Sequence, residues 1–139
     1  MRKRTQARQL ALQILYQIDI THDDPSASLD NFWSVQTQEI DPTVRQFTSE
    51  LVKGIQDHHQ IIDRKIAEYA QNWELKRMAV VDRNILRQAC FEILYRPDIP
   101  PKVAINEAIE LAKRFSGIEA GKFVNGILDK IRQDVAKAL

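Results

Sequence analysis

Apolar side chains recur every third or fourth residue along almost the whole chain, and no run alternates with period two for long enough to make a strand. That spacing commits the sequence to an all-α fold. Residues 7–18 place Ala7, Leu10, Ala11, Ile14, Leu15 and Ile18 on one stripe, with Arg8, Gln9 and Gln13 on the other side. Thr21 to Ser28 has the composition of a loop, and Leu29, Phe32, Trp33 and Gln36 predict a short helix after it. Asp41-Pro42 reads as a helix start, an N-cap acceptor followed by proline where the missing N–H is harmless. Phe47, Leu51 and Ile55 continue that helix, and a break or kink is expected near Gly54, since glycine costs about 1 kcal/mol in a helix interior. The period resumes at Ile62, Ile66, Tyr69 and Trp73. Residues 79–95 set Val81, Ile85, Leu86, Ala89, Cys90, Ile93 and Leu94 on one face, with Arg83 and Arg87 off it. Pro97, Pro100 and Pro101 end that helix, because a residue before proline avoids the α region. Ile105, Ala108, Ile109, Ala112 and Phe115 predict the next, closed by Gly117 as a left-handed cap. Phe123, Val124, Ile127, Leu128, Ile131 and Val135 predict the last. Six or seven helices follow, short-linked and packing antiparallel, with a join between two lobes near Asn72–Met78.

Composition narrows the function classes. Apolar residues are 44% and charged residues 28% of 139, a balance that excludes a disordered chain. One cysteine, Cys90, excludes an internal disulfide framework and a Cys-rich zinc site. No stretch approaches the roughly eighteen apolar residues of a membrane span. The basic start is broken by Gln6, Arg8, Gln9 and Gln13, so no secretory signal is expected and the cytoplasm is the default. Net charge is +1, but residues 1–18 carry four bases and no acid, 19–68 ten acids against four bases, and 69–139 twelve bases against nine acids. Two basic ends around an acidic middle suit a molecule with one face for a polyanion.

Catalytic chemistry is not expected. His58 and His59 are adjacent and point about 100° apart on a helix, so they make no i, i+4 metal pair. With Asp57 and Asp63 they read as a solvated polar face, and no metal or cofactor is expected. Cys90 sits on an apolar stripe, the place of a buried inert thiol. Gly54, Gly117, Gly121 and Gly126 are scattered and make no phosphate loop. Glu110 and Arg114 form an i, i+4 pair that needs no catalytic role.

What remains is the arm Arg2, Lys3, Arg4 and Arg8. Arg4 and Arg8 lie one turn apart and make a basic ridge for successive phosphates, with Arg2 and Lys3 on a flexible lead-in. Cations at a helix N-terminus oppose the macrodipole, so the feature is kept against local stability. Tyr16, Tyr69, Phe115 and Phe123 are candidates for stacking on bases, though each also fits a core stripe, and core is the expectation for at least half of them.

Several segments carry a family resemblance: Arg8-Gln-Leu-Ala-Leu-Gln-Ile-Leu-Tyr16, Asp82-Arg-Asn-Ile-Leu-Arg87, the run from Ile99 to Lys113 containing Ile105-Asn106-Glu107-Ala108, and Lys122-Phe-Val-Asn-Gly-Ile-Leu-Asp-Lys130. Together they resemble the NusB family of bacterial transcription antitermination factors, nearly end to end. The resemblance implies one all-α domain over residues 1–139, about seven helices in two small antiparallel bundles packed together, with lobes of approximately 1–74 and 75–139. It implies a non-enzymatic role: binding single-stranded boxA RNA of ribosomal-RNA-operon transcripts with the ribosomal protein NusE, on the RNA polymerase elongation complex, to resist termination. By position, Arg2, Lys3, Arg4 and Arg8 match the family's RNA-contacting start. Tyr69, Arg87, Phe115, Glu119, Lys122 and Phe123 match its RNA surface, and Tyr16 and Asp82 its NusE-facing region. Some members of the family self-associate, and a homodimer stays open here. Two other readings stand beside this one. A protein-interaction adaptor would leave the basic arm inert. The helical module of a ribosomal-RNA cytosine methyltransferase shares the fold, but the 139 residues hold no glycine-rich loop or catalytic cysteine motif.

Overall fold

The computed structural model describes residues 1–71 and 74–138. The expectations for Asn72 and Trp73 therefore lie outside the described residues. Those described hold seven α-helices and no strand: α1 (Lys3–Thr21), α2 (Pro25–Ser34), α3 (Pro42–Asp57), α4 (His59–Tyr69), α5 (Val80–Tyr95), α6 (Pro101–Phe115) and α7 (Ile118–Ala138), with a 3-10 turn at Leu75–Arg77. The chain divides into two compact units, Met1–Asp57 and His58–Leu139. The spacing places the join later, near Asn72–Met78. The division falls at Asp57–His58 because α4 packs on α5 and α7, with Ile62 and Ile66 fully buried.

In the first unit α1 lies against α3, and α2 touches both. Ala7, Ala11, Ile14, Leu15 and Ile18 of α1 are buried, as are Val44, Phe47, Leu51, Val52 and Ile55 of α3 and Leu29 of α2. Close approach of α1 and α3 is marked by Thr48, whose buried hydroxyl donates to the carbonyls of Val44 (2.8 Å) and Ala7 (3.3 Å). Helix α2 begins at Pro25, inside the segment whose composition reads as loop. Asp24 caps it, accepting from the Ala27 N–H at 3.0 Å, so Asp24-Pro25 starts a helix just as Asp41-Pro42 does. The break expected near Gly54 falls at His58, between α3 and α4. Gly54 itself is helical, carried by the buried neighbours Leu51, Val52 and Ile55. Tertiary burial outweighs a propensity penalty of about 1 kcal/mol.

In the second unit α5 packs against α4, α6 and α7. Cys90 is fully buried on it, and that burial pushes the thiol up to about 12, which makes it inert at neutral pH. Helix α6 starts at Pro101 and ends at Phe115, with Ser116 as its C-cap, followed by Gly117 at φ +115°, a conformation that suits glycine. The Gly117 N–H donates back to the Ala112 carbonyl at 2.9 Å, and α7 starts at the next residue, so α6 and α7 form a tight helical hairpin. Gly121 lets the two helices meet: a Cβ there would stand 3.1 Å from Lys113 Cγ. His58 does not lie on a solvated polar face. Its ring stacks on Tyr95 with centroids 4.0 Å apart, and Phe91 lies next in line at 6.5 Å. Glu110 pairs with Lys113 (3.7 Å), and Arg114, expected to pair with Glu110, instead lies over the Phe115 ring at 5.4 Å. Leu128 is fully buried on α7. Leu128→Ala is expected to cost about 2–5 kcal/mol, read as a lower urea midpoint at unchanged slope.

Candidate nucleic-acid interface

The basic arm of the first unit is ordered. Helix α1 begins at Lys3, so of the four basic residues only Arg2, its N-cap, precedes it, and the Arg2 carbonyl accepts from the Gln6 N–H at 3.0 Å. Lys3 is paired with Asp41 at 3.2 Å. The same carboxylate accepts the Thr43 N–H at 2.8 Å, and these two contacts, the N–H first, hold the Asp41 carboxyl below its ordinary range. Asp41 thus caps α3 and offsets a cation that the α1 macrodipole disfavours. Arg4 and Arg8 do not form an exposed ridge. Both guanidiniums lie over the ring of Phe47, at 4.5 and 5.4 Å from its centroid, and Arg8 is only 3% exposed. The helical wheel sets Arg8 opposite the apolar stripe, but Phe47 of α3 covers it. Arg2 and Arg4 remain as exposed cations, and Lys3 is exposed while paired.

In the second unit Tyr69 closes α4 and is half-buried. Its hydroxyl donates to Asp134 Oδ2 of α7, and Lys65 Nζ reaches the same oxygen at 2.7 Å. Lys65 also meets Glu68 at 3.4 Å. The ammonium and hydroxyl hold the Asp134 carboxyl below its usual range, and the carboxylate in turn raises Lys65 and Tyr69 above theirs. Arg87 is a clamp between helices. Its Nε and Nη2 meet the two oxygens of Asp63 at 2.8 and 3.2 Å, and Nη1 donates to Asn84 Oδ1 at 3.2 Å. Those contacts turn its fork towards α4.

The start of α5 and the α6–α7 hairpin enclose a concave site of about 330 Å³, lined by Met78, Asp82, Ser116, Glu119, Ala120 and Phe123 among others. It brings together three sequence candidates, Asp82, Glu119 and Phe123. Asp82 Oδ1 is shielded from solvent and accepts no hydrogen bond among the described residues. Lys122 lies outside the concavity and pairs with Glu119 at 3.5 Å, both well exposed. Phe115 is 50% exposed beside it in sequence, and in the first unit Tyr16 is 41% exposed with Ile20, one turn on, at 53%. None of the four candidate stacking aromatics is buried, against the expectation that at least half belong to the core. They stand at stripe edges and helix ends, which a wheel does not separate from the core.

Residues missed by the sequence reading are the holders: Phe47 under the arginines, Asp41 beside Lys3, and Asp134 with Lys65 behind Tyr69. Asp134 is 65 residues from Tyr69, and no local pattern signals the pair. Among the described residues no group of three His, Cys, Asp or Glu is placed to hold a metal, and no helix is long and apolar enough to cross a membrane.

The Asp134 network gives a pH signature. A lowered carboxyl stabilises the fold above its unfolded value, about 3.9, and that contribution is lost as pH falls through the depressed folded value. Raised Lys65 and Tyr69 contribute below about 10, and lose that contribution as pH climbs through their folded values. The stability gap between the wild type and Asp134→Asn is therefore expected to be flat from about pH 5 to 9 and to close at both ends, measured by urea unfolding across pH.

Comparison with known proteins now adds to this geometry. The family model described as the NusB family matches residues 5–133. The transcription antitermination protein NusB of Desulforapulum autotrophicum is 47% identical over 132 residues, covering 95% of this chain and 92% of that one. A solved structure of T. maritima NusB superposes with a TM-score of 0.84 at 36% identity, covering 94% of this chain and 91% of the other. A crystal structure of the antitermination factors NusB and NusE in complex with dsRNA superposes with a TM-score of 0.85 at 26% identity, over 96% of this chain and 98% of that chain. A match running through both compact units makes this chain a member of the NusB family.

Proposed function

We propose that this chain is a cytoplasmic, non-catalytic antitermination factor. It binds the single-stranded boxA segment of ribosomal-RNA-operon transcripts jointly with the ribosomal protein NusE and helps RNA polymerase resist termination. The observation that carries the reading is the relative solved with NusE and dsRNA, whose fold this chain shares along nearly its full length. The chain's own chemistry supports it. Arg2 and Arg4 offer exposed positive charge on an ordered helix start, which captures phosphates without reading sequence. Phe115, Phe123 and Tyr69 offer ring surface for unstacked bases. Asp82 in the concavity and the exposed Tyr16 are the features suited to a protein partner.

An RNA titration with and without NusE tests this. A boxA strand is expected to bind better than a scrambled one when the partner is present, with affinity falling as salt rises. Arg4→Ala is expected to weaken all RNAs and to reduce the salt slope by about 0.7, one phosphate's share on a single strand. Arg8→Ala, at a buried position, is expected to lower folding stability instead. Tyr16→Ala is expected to weaken NusE and leave the RNA salt slope intact. A wild type that binds NusE yet shows no RNA affinity at any salt would identify a protein adaptor.

A further inference from the structure

The Tyr69 ring is the one candidate stacking surface whose hydroxyl is committed elsewhere. It donates to Asp134 Oδ2, and that oxygen also takes the Lys65 ammonium at 2.7 Å. Lys65 Nζ stands 5.9 Å from the Tyr69 ring centroid, so the cation occupies one side of the ring as well as its carboxylate partner. Glu68 holds the same ammonium from the next turn at 3.4 Å. Lys65 and Asp134 are both more than half-buried, with side chains 24% and 33% exposed. The tyrosine is thus fixed at two points, its backbone at the end of α4 and its oxygen on α7. A ring fixed in advance loses less freedom when a base settles on it.

Resting on the RNA-binding reading above, we infer that Asp134, charge-balanced by Lys65, is a positioning residue that holds Tyr69 as a stacking platform whose hydroxyl proton is already donated. The nucleotide placed there is therefore held by its π-face and is not read by a Tyr69 donor. Stacking alone is sequence-tolerant, because every base has such a face. Any sequence preference of the surface must come from other groups.

Tyr69→Phe isolates the tether, since it keeps the ring and every charge and removes only the hydroxyl. The test titrates full-length protein, with NusE, against boxA-type RNAs carrying a single abasic nucleotide at each position in turn. For the wild type, one abasic position is expected to lower affinity about tenfold, while exchanging the base there for any other changes it less than about twofold. Tyr69→Ala is expected to lose that same factor on intact RNA and to become insensitive to the abasic site. Tyr69→Phe is expected to weaken binding about threefold at an unchanged salt slope, because no phosphate contact is lost. Asp134→Asn placed on Tyr69→Phe is expected to cause no further loss of the abasic response, since the tether is already gone. Thermal unfolding of each variant confirms that the fold is kept.

Tyr69→Phe binding as tightly as the wild type while Tyr69→Ala is weakened would overturn the positioning role and leave the ring as an untethered contact. Strong discrimination among bases at the Tyr69-dependent nucleotide would overturn the claim that it is not read by a Tyr69 donor. Tyr69→Ala matching the wild type on every RNA would remove Tyr69 from the surface. In all three cases RNA binding itself persists, whereas a wild type without RNA affinity would bring down the functional reading and this inference together.

Discussion

Burial of α5 around nearly its whole circumference is the constraint from which the second unit follows. Ile85, Leu86, Ala89, Cys90, Phe91 and Ile93 are inside, as an apolar stripe requires, but Asn84, Gln88 and Glu92 are inside too, at i, i+4 and i+8. A helix buried with polar side chains must satisfy them, since each buried group left unmet costs about 1–3 kcal/mol. Asn84 shows how: its amide donates to the Val80 carbonyl at 2.8 Å, and its oxygen accepts from Arg87. Arg87 is then bound to Asp63, so one chain of contacts fixes α4 on α5. With α6 and α7 packed on the same helix, the residues at its start inherit that rigidity. Met78 and Asp82 therefore meet Glu119 and Phe123 as a preformed concavity.

The first unit solves a different problem, that of displaying cations on a helix end that repels them. Long basic side chains carry about 2 kcal/mol of rotamer entropy each, much of it lost when they grip a phosphate. Here part of that ordering is done within the fold. Phe47 receives two guanidiniums, and Asp41 takes the Lys3 ammonium while capping α3. The arm has less reach than a disordered lead-in and less freedom left to lose.

Helix positions were legible in the sequence wherever an apolar stripe or an Asp-Pro start was present, and Asp24-Pro25 shows that the second signal outranks loop-like composition around it. The family was legible too, because the segments around Asn106 and Asn125 are specific at their spacing. Side-chain partners across helices were not. Arg8 reads as solvent-facing on a wheel of α1 alone, and only the arrival of Phe47 from α3 buries it. Arg87 reads only as lying off the apolar face, and nothing local signals Asp63, 24 residues earlier, which takes its fork. In each case the deciding contact joins two elements, and one-dimensional periodicity carries no information about which elements meet.

The stacking of His58 has a consequence for anyone dissecting the molecule. This residue is the first of the second compact unit, yet its imidazole is already committed to the aromatic rings of Tyr95 and Phe91 at the far end of α5. The natural place to sever the chain is thus before His58 and not at the first turn of α4. A fragment begun one residue later would leave the Tyr95 ring facing water on the side that the histidine now covers.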